Sequence, residues 1–399
     1  MKKKSIEAID VKGKCVFARV DFNVPLDDAG EITDDTRIRA SLPTLQYLVN
    51  HGARIVCASH LETPGGEKKP GLTLPPMQPV VKRLSQLLGQ EVIFSEEIVG
   101  EEVEILKSKL KEGDILLLQN LKSHPGETGN DIDFARELAK NIDIYVNDTL
   151  GASIYSHASI QAITECVPVS AAGLLLKKEI DYLTMALENP PKNYTVIIGG
   201  ARVSDKIHLI THLIHRAQKI LIGGGIAYTF LKAKGVDVGG SKVEEDYLQL
   251  CRDILQKAEE KNVKLLLPVD HIAAISIEPE VTIRMIKRSD QIPGEMMGLD
   301  IGFETIRLFT QEMKDAELIV WNGPLGVFEI ETFSAGTIEI AKEVAAGSAT
   351  SIIAGDALAA AIHKTGISHQ ISLLSSCGIA MRQFLSGQTL PGIESLSEE

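Results

Sequence analysis

The chain has 399 residues, a formal net charge of −13, 44% apolar and 24% charged residues, and few aromatics. That length exceeds one ordinary core and fits two domains of roughly 150 to 200 residues. The composition excludes a disordered chain, and the negative charge argues against non-specific binding to nucleic acid or to an anionic membrane. The lysines of MKKKSIEAID are followed by no apolar stretch of signal-peptide length, and no run reaches the roughly 18 apolar residues of a membrane span, so a cytoplasmic location is expected. Five scattered cysteines, Cys15, Cys57, Cys166, Cys251 and Cys377, form no CxxC pair and offer no disulfide framework, as in a reducing compartment.

In chain order, the runs KCVFARVDF, ARIVCASH, GDILLLQNL and IDIYVNDT read as strands. They are followed by YTVIIGG, KILIGGG, KLLLPVD, ELIVWNG and TSIIAGD. Near-continuous apolar strands imply burial on both faces, hence parallel sheets with helices on either side. Between them PTLQYLVNHG, PVVKRLSQLLG and DYLQLCRDILQKAEEKN read as helices that stop at Gly52, Gly89 and Asn262. The adjacent prolines of ALENPPKNY, residues 186–194, break any helix and mark a linker. The expected architecture is α/β, two doubly wound Rossmann-like domains with parallel sheets joined by a hinge. Ligands in such sheets collect beyond the carboxyl ends of the strands. Most of the polar or glycine-rich stretches directly follow a strand, which makes them candidates for one shared cleft.

Several of those stretches have the residue types for anion chemistry. In VDFNVPLDDAGEITDDTRIRASLPT a strand ends in Asp21, Phe22 and Asn23, and Arg37 and Arg39 open the next helix beside three acids; alone, this reads equally well as a solvated turn with capping acids. In GGARVSDKI a strand runs into a helix expected to start near Ser204. Gly199 and Gly200 there let backbone amides approach phosphates, and Arg202 and Lys206 add fixed cations. No G-x-x-x-x-G-K-[ST] string occurs, so this is not a Walker A loop. His208, His212 and His215 share one helix face, but with no acid or cysteine at coordinating spacing they read as helix surface rather than a metal site.

VDFNVPL together with DDTRIRASLPT resembles the N-terminal signature of the phosphoglycerate kinase family. SHLxxP at 59–64, NLxxHPGE at 120–127, YVND at 145–148, SAAG at 170–173, GGARVSDKI at 199–207, IGGGIAYTFLKA at 222–233, WNGPLGVFE at 321–329 and AGD at 354–356 follow in that family's order. The resemblance spans essentially the whole chain. It implies the phosphoglycerate kinase fold, with an acid-substrate domain over 1–172 on which the tail 388–399 packs. A hinge and linker helix over 173–192 and a nucleotide domain over 193–387 complete the division. It further implies a monomer acting only on small molecules, with Mg2+ and ATP or ADP, that closes about its hinge for reversible transfer between 1,3-bisphosphoglycerate and ADP and 3-phosphoglycerate and ATP.

By the same resemblance, Asp21, Phe22, Asn23, Arg37, His60, Leu61, Glu62, Thr63, Lys122, Tyr155 and His157 stand at the acid site. Gly199, Gly200, Arg202, Lys206, Gly223, Gly224, Gly225, Asn322, Pro324, Ala354, Gly355 and Ala357 stand at the nucleotide, Glu329 at the ribose hydroxyls, and Asp356 at the Mg2+. Arg37, Arg202, Lys206 and Gly378 serve the transfer.

The departures concentrate at the acid. Family members hold its phosphate and carboxylate with arginines and histidines, because guanidinium forks match those anions. Here the family's Gly-Arg is Glu62-Thr63, a further arginine is Lys122, and a His-Arg pair is Ile154-Tyr155. Losing two charge-assisted contacts of about 1.5 to 3 kcal/mol each weakens acid binding by roughly two to four decades unless Lys68, Lys69 or the Tyr155 hydroxyl compensates. At the nucleotide, Arg202 replaces a lysine, Ala357 a hydroxyl residue and Ala354 a glycine, and a glycine-rich helix start becomes Cys377, Gly378 and Ile379, whose branched side chain crowds the approach. Three readings follow: a working phosphoglycerate kinase with weakened acid binding, a kinase of the same fold with a different acceptor acid, and a nucleotide-binding pseudoenzyme. The better-kept nucleotide residues favour the second and third, and the full-length resemblance keeps the first as the leading name.

Overall fold

The computed structural model describes residues 2–63, 74–375 and 377–399. The chain divides into two compact units, Met1–Asp181 with Thr389–Glu399, and Tyr182–Gln388. In the first unit six strands, β1 (Cys15–Arg19), β2 (Arg54–Ala58), β3 (Val92–Phe94), β4 (Ile115–Leu117), β5 (Ile144–Asn147) and β6 (Val169–Ala172), form a parallel sheet in the order β3-β4-β2-β1-β5-β6. In the second, β7 (Tyr194–Ile198), β8 (Lys219–Ile222), β9 (Lys264–Leu266), β13 (Leu318–Asn322), β14 (Thr350–Ala354) and β15 (Leu373–Ser375) form another, in the order β15-β14-β13-β7-β8-β9. Every residue of β1, β5, β7 and β13 is buried, which is the physical content of their near-continuous apolar runs.

The two parallel sheets are as expected, and a third sheet joins them. β10 (His271–Ala274), β11 (Arg284–Ile286) and β12 (Met297–Ile301) make a small antiparallel sheet in the order β11-β10-β12 within the second unit. These strands carry His271, Arg284 and Asp300 among apolar residues, so no continuous apolar run announces them. The helix stops are as expected. Gly89 caps Gln78–Leu88 in the left-handed region at φ 69°, and Gly52 and Asn262 turn at φ 71° and 56° just past Thr36–Asn50 and Leu248–Glu260. No described helix is long and apolar enough to cross a membrane.

Each large sheet reverses its strand order beside its first strand. β1 lies between β2 and β5, and β7 lies between β8 and β13, so a crevice opens at the carboxyl ends of β1 and β5 and of β7 and β13. The tail joins the first unit: Lys3 Nζ donates to the carbonyls of Glu394 at 2.9 Å and Leu396 at 3.1 Å, and Asn147 Nδ2 to that of Gly392 at 2.9 Å.

Candidate active-site residues

In the first unit the candidate acid-site residues follow the ends of β1, β2, β4 and β5. Phe22 and Leu61 are buried and anchor their loops, Phe22 through its amide on Ser59 Oγ at 2.8 Å. Asp21 Oδ2 pairs with Arg37 Nη1 at 2.9 Å, at the start of the helix Thr36–Asn50. The Asn23 side-chain oxygen accepts from the Glu62 amide at 2.9 Å and fixes the loop after β2 to the loop after β1. Glu62 then reaches the loop after β4, where its Oε1 lies 2.5 Å from Lys122 Nζ. The carboxylate that follows SHL is thus held by Lys122, where the resemblance leads to an expected arginine. Thr63 is half-buried beside it; Lys68 and Lys69 lie outside the described residues.

The imidazoles complete this site. His60 is held well below the ordinary histidine range by burial, with Arg19 adding to the effect, so it is neutral at pH 7. Its Nδ1 lies 3.2 Å from Arg19 Nη2. His157 is lowered by burial against the opposing pull of Glu127, whose Oε1 is 3.8 Å away. Tyr155 stacks on His157 with ring centroids 4.9 Å apart and remains 48% exposed. Beneath these residues runs a network that sequence reading missed: Arg19 Nε donates to Ser159 Oγ at 2.9 Å, and Ser159 donates its hydroxyl and amide to Glu127 at 2.6 and 3.0 Å. The signal was there in part, since Arg19 is a charge inside an apolar strand and Glu127 ends the quoted HPGE string.

In the second unit the loops after β7, β8 and β13 touch backbone to backbone. A Cβ on Gly199 would lie 2.1 Å from the Pro324 carbonyl oxygen, so only glycine permits this approach. The amides of Gly199 and Gly200 donate to the carbonyls of Asn322 at 3.0 Å and Pro324 at 2.8 Å, and that of Gly224 to Leu325 at 3.0 Å. Those glycine amides hold loop to loop. Further along the loop the amides of Val203 and Ser204 donate to the Glu244 carboxylate, the latter at 3.1 Å, and the helix begins at Ile207 rather than near Ser204. Glu244, 40 residues along the chain from Ser204, left no sequence signal.

Two cations stand beside these loops. Lys206 Nζ donates to Asn322 Oδ1, whose Nδ2 donates to the Ala354 carbonyl at 2.8 Å, linking the ends of β13 and β14. Burial, with the nearby charge of Arg382, brings the Lys206 ammonium down to about 7, against the opposing pull of Asp205. Arg202 Nε lies 3.2 Å from Asp205 Oδ2. Gly223 and Gly225 flank Gly224 beneath this loop; a Cβ on Gly225 would lie 2.9 Å from the Ala201 carbonyl oxygen. Gly355, at φ 127°, precedes the exposed Asp356 and Ala357, which open the helix Asp356–Thr365. Gly378 opens Gly378–Leu385 with its Cα so near Gly355 that a Cβ would come within 2.8 Å. Ile379 is 54% exposed and Glu329 also faces solvent. Among the described residues, no group of three acids, histidines or cysteines is placed to hold a metal by itself. One exposed carboxylate, Asp356, fits a Mg2+ that takes its other ligands from phosphates and water.

Comparison with known proteins agrees with this geometry. Residues 6–388 match the family described as phosphoglycerate kinase. The chain is 49% identical over 403 residues to a phosphoglycerate kinase of Thermosipho africanus, covering 100% of this chain and 99% of that one. It is 46% identical over 406 residues to that of Koribacter versatilis, covering 100% of both. The solved phosphoglycerate kinase of Coxiella burnetii superimposes with a TM-score of 0.87 at 35% identity, and that of Pyrococcus horikoshii with 0.86 at 31%, each over 98% of both chains. With the fold, the strand-end loops and these full-length likenesses in agreement, the chain belongs to the phosphoglycerate kinase family.

Proposed function

We propose that this kinase runs the reversible transfer between 1,3-bisphosphoglycerate with ADP and 3-phosphoglycerate with ATP, holding its nucleotide well and its acid weakly. The observation that carries the second half is the ion pair of Lys122 with Glu62 at 2.5 Å. Arg37 is likewise paired, with Asp21, and His60 is neutral. A trianionic acid entering this unit must displace a carboxylate or share a cation with one, and both cost affinity. Arg37 is the cation assigned to the acid and the migrating phosphoryl group, and Lys122 is its weaker partner.

On the nucleotide side, assigned to Tyr182–Gln388, Arg202 and Lys206 receive the phosphates beside Gly199 and Gly200, Glu329 the ribose hydroxyls, and the glycines after β8 line the base. Asp356 would hold Mg2+, which would supply positive charge against the phosphates. The protein is read as a cytoplasmic monomer.

Calorimetry with MgADP, MgATP and 3-phosphoglycerate separately tests this. Expected is ordinary nucleotide affinity with acid binding weakened by at least about a hundredfold relative to an arginine-bearing family member. Equal affinity for both ligands would overturn the weak-acid reading, and no nucleotide binding would overturn the whole assignment. A second reading, an acceptor acid with fewer negative charges, is favoured by the Glu62 carboxylate, and a panel of monoanionic hydroxy acids in the same experiment separates it.

A further inference from the structure

The cations of the two units differ in how they are balanced. Arg37, Lys122 and Arg202 each face a carboxylate, Asp21, Glu62 and Asp205. Lys206 and Arg382 do not: among the described residues neither has an acid within ion-pair distance. Arg382 donates Nη1 to the backbone carbonyl of Asp205 at 2.7 Å, which occupies one of its five N–H donors. Lys206 donates to a neutral amide oxygen on Asn322.

These two groups come from different elements. Lys206 ends the loop after β7, and Arg382 lies on the helix Gly378–Leu385, one turn beyond Gly378 and so on the same face. Gly378 in turn backs onto Gly355, the residue before Asp356. Arg382 Nη1 sits on the backbone carbonyl of Asp205, the residue before Lys206, and neighbouring like charges in a partly buried place raise each other's free energy. Burial first and Arg382 second lower the Lys206 ammonium, with Asp205 opposing. Asp205 and Arg202 on the same loop are turned to each other, and Asn322 is uncharged. An anion placed between Lys206 and Arg382 removes that repulsion.

We infer that Arg382 is a further nucleotide-positioning residue, which reaches across from the helix Gly378–Leu385 and joins Lys206 in binding the terminal phosphates. The inference rests on the reading that this unit binds the nucleotide. The Asp205 carbonyl orients the guanidinium, leaving its other donors for phosphate oxygens. The contribution therefore grows with the number of phosphates.

The test is a calorimetric series of AMP, ADP and ATP, each with and without Mg2+, on the intact protein and on R382Q and R382K. For R382Q the expected loss is about tenfold for ATP, smaller for ADP and under about twofold for AMP, with R382K recovering part of the ATP loss. A loss equal across the three nucleotides would overturn the inference, since it would mark Arg382 as only a tether between helix and loop. No loss at all would overturn it equally. Circular dichroism and the melting temperature of each variant identify a folding defect; should R382Q be unfolded, the same phosphate-graded ranking is read from R382K. If the intact protein binds none of the three nucleotides, the failure belongs to the nucleotide reading and Arg382 is left without a ligand.

Discussion

The two units differ in how the cations assigned to their ligands are balanced. In the first, Arg37 and Lys122 are each closed by a carboxylate, and the histidines beside them are held neutral. In the second, Arg202 faces Asp205, while Lys206 and Arg382 have, among the described residues, no acid within ion-pair distance, and burial with Arg382 brings the Lys206 ammonium down to about 7. A site whose charges are already balanced is stable when empty and recognises an anion poorly. A site with uncompensated positive charge is strained when empty, and binding relieves the strain. On the function proposed above, the fold carries one anion site whose assigned cations are already paired and one with two cations left for its ligand.

The largest effect should come from removing the waiting charge. Lys206→Met keeps the volume and hydrophobic stem in a buried place, so the protein should fold and melt no lower than before. Phosphoryl transfer should fall about a hundred- to a thousandfold, the range seen when one preorganised group is removed from a transition-state site, while 3-phosphoglycerate binding is unchanged. Steady-state kinetics with acid calorimetry checks this, and a variant with intact turnover would break the comparison at its stronger end.

Next in size is the repair of the balanced site. Thr63→Arg with Tyr155→Arg restores the two guanidinium groups and should tighten 3-phosphoglycerate by about a hundredfold, the low end for two charge-assisted contacts in a partly exposed place. Nucleotide affinity should not move. If the acid binds no better, the weakness lies elsewhere than in the missing arginines.

Glu62→Gln is smaller and more pointed. It leaves Lys122 with a neutral neighbour and removes a carboxylate that repels the acid. The pair is half-exposed, so the gain should be only about fivefold. Lys122→Met should weaken the acid, and the double variant should show whether Glu62 acts through Lys122 or directly on the ligand. Weaker acid binding in Glu62→Gln would mean that Glu62 positions Lys122 rather than competing for it.

The sheets were legible because their strands are buried on both faces, and a run such as YTVIIGG can hardly be anything else. The small antiparallel sheet was not, since β11 exposes Arg284 and Met285 and has the sequence of a loop. The site was legible as residue types at strand ends, down to the Glu62 and Tyr155 substitutions. Its state was not. Whether Lys122 is paired depends on a contact across 60 residues, and whether glycine amides point at a ligand or at a neighbouring loop depends on packing that no motif encodes. GGARVSDKI reads as a phosphate cradle, yet four of its amides, those of Gly199, Gly200, Val203 and Ser204, serve Asn322, Pro324 and Glu244. Arg382 carries no motif and acquires meaning only beside Asp205.

The smallest effect is also the most direct reading of the strain. Lys206 titrates near 7 in the empty protein, lowered first by burial and then by Arg382, with Asp205 opposing and Arg202 turned toward Asp205. A bound phosphate favours the ammonium, so nucleotide and proton bind together. As pH rises through about 7.5 to 8.5, above the titration of the phosphates themselves, empty Lys206 loses its proton and affinity should fall. If the ligand raises the ammonium by about one unit, the fall is about two- to threefold over that interval. Calorimetry in two buffers of different ionisation heat should register a fractional proton taken up at pH about 7.5. Arg382→Gln lifts a repulsion, so its decline should begin at higher pH, and Lys206→Met should show none. An affinity that rose over this interval, or a decline that survived in Lys206→Met, would place the titrating group elsewhere and remove the asymmetry between the units.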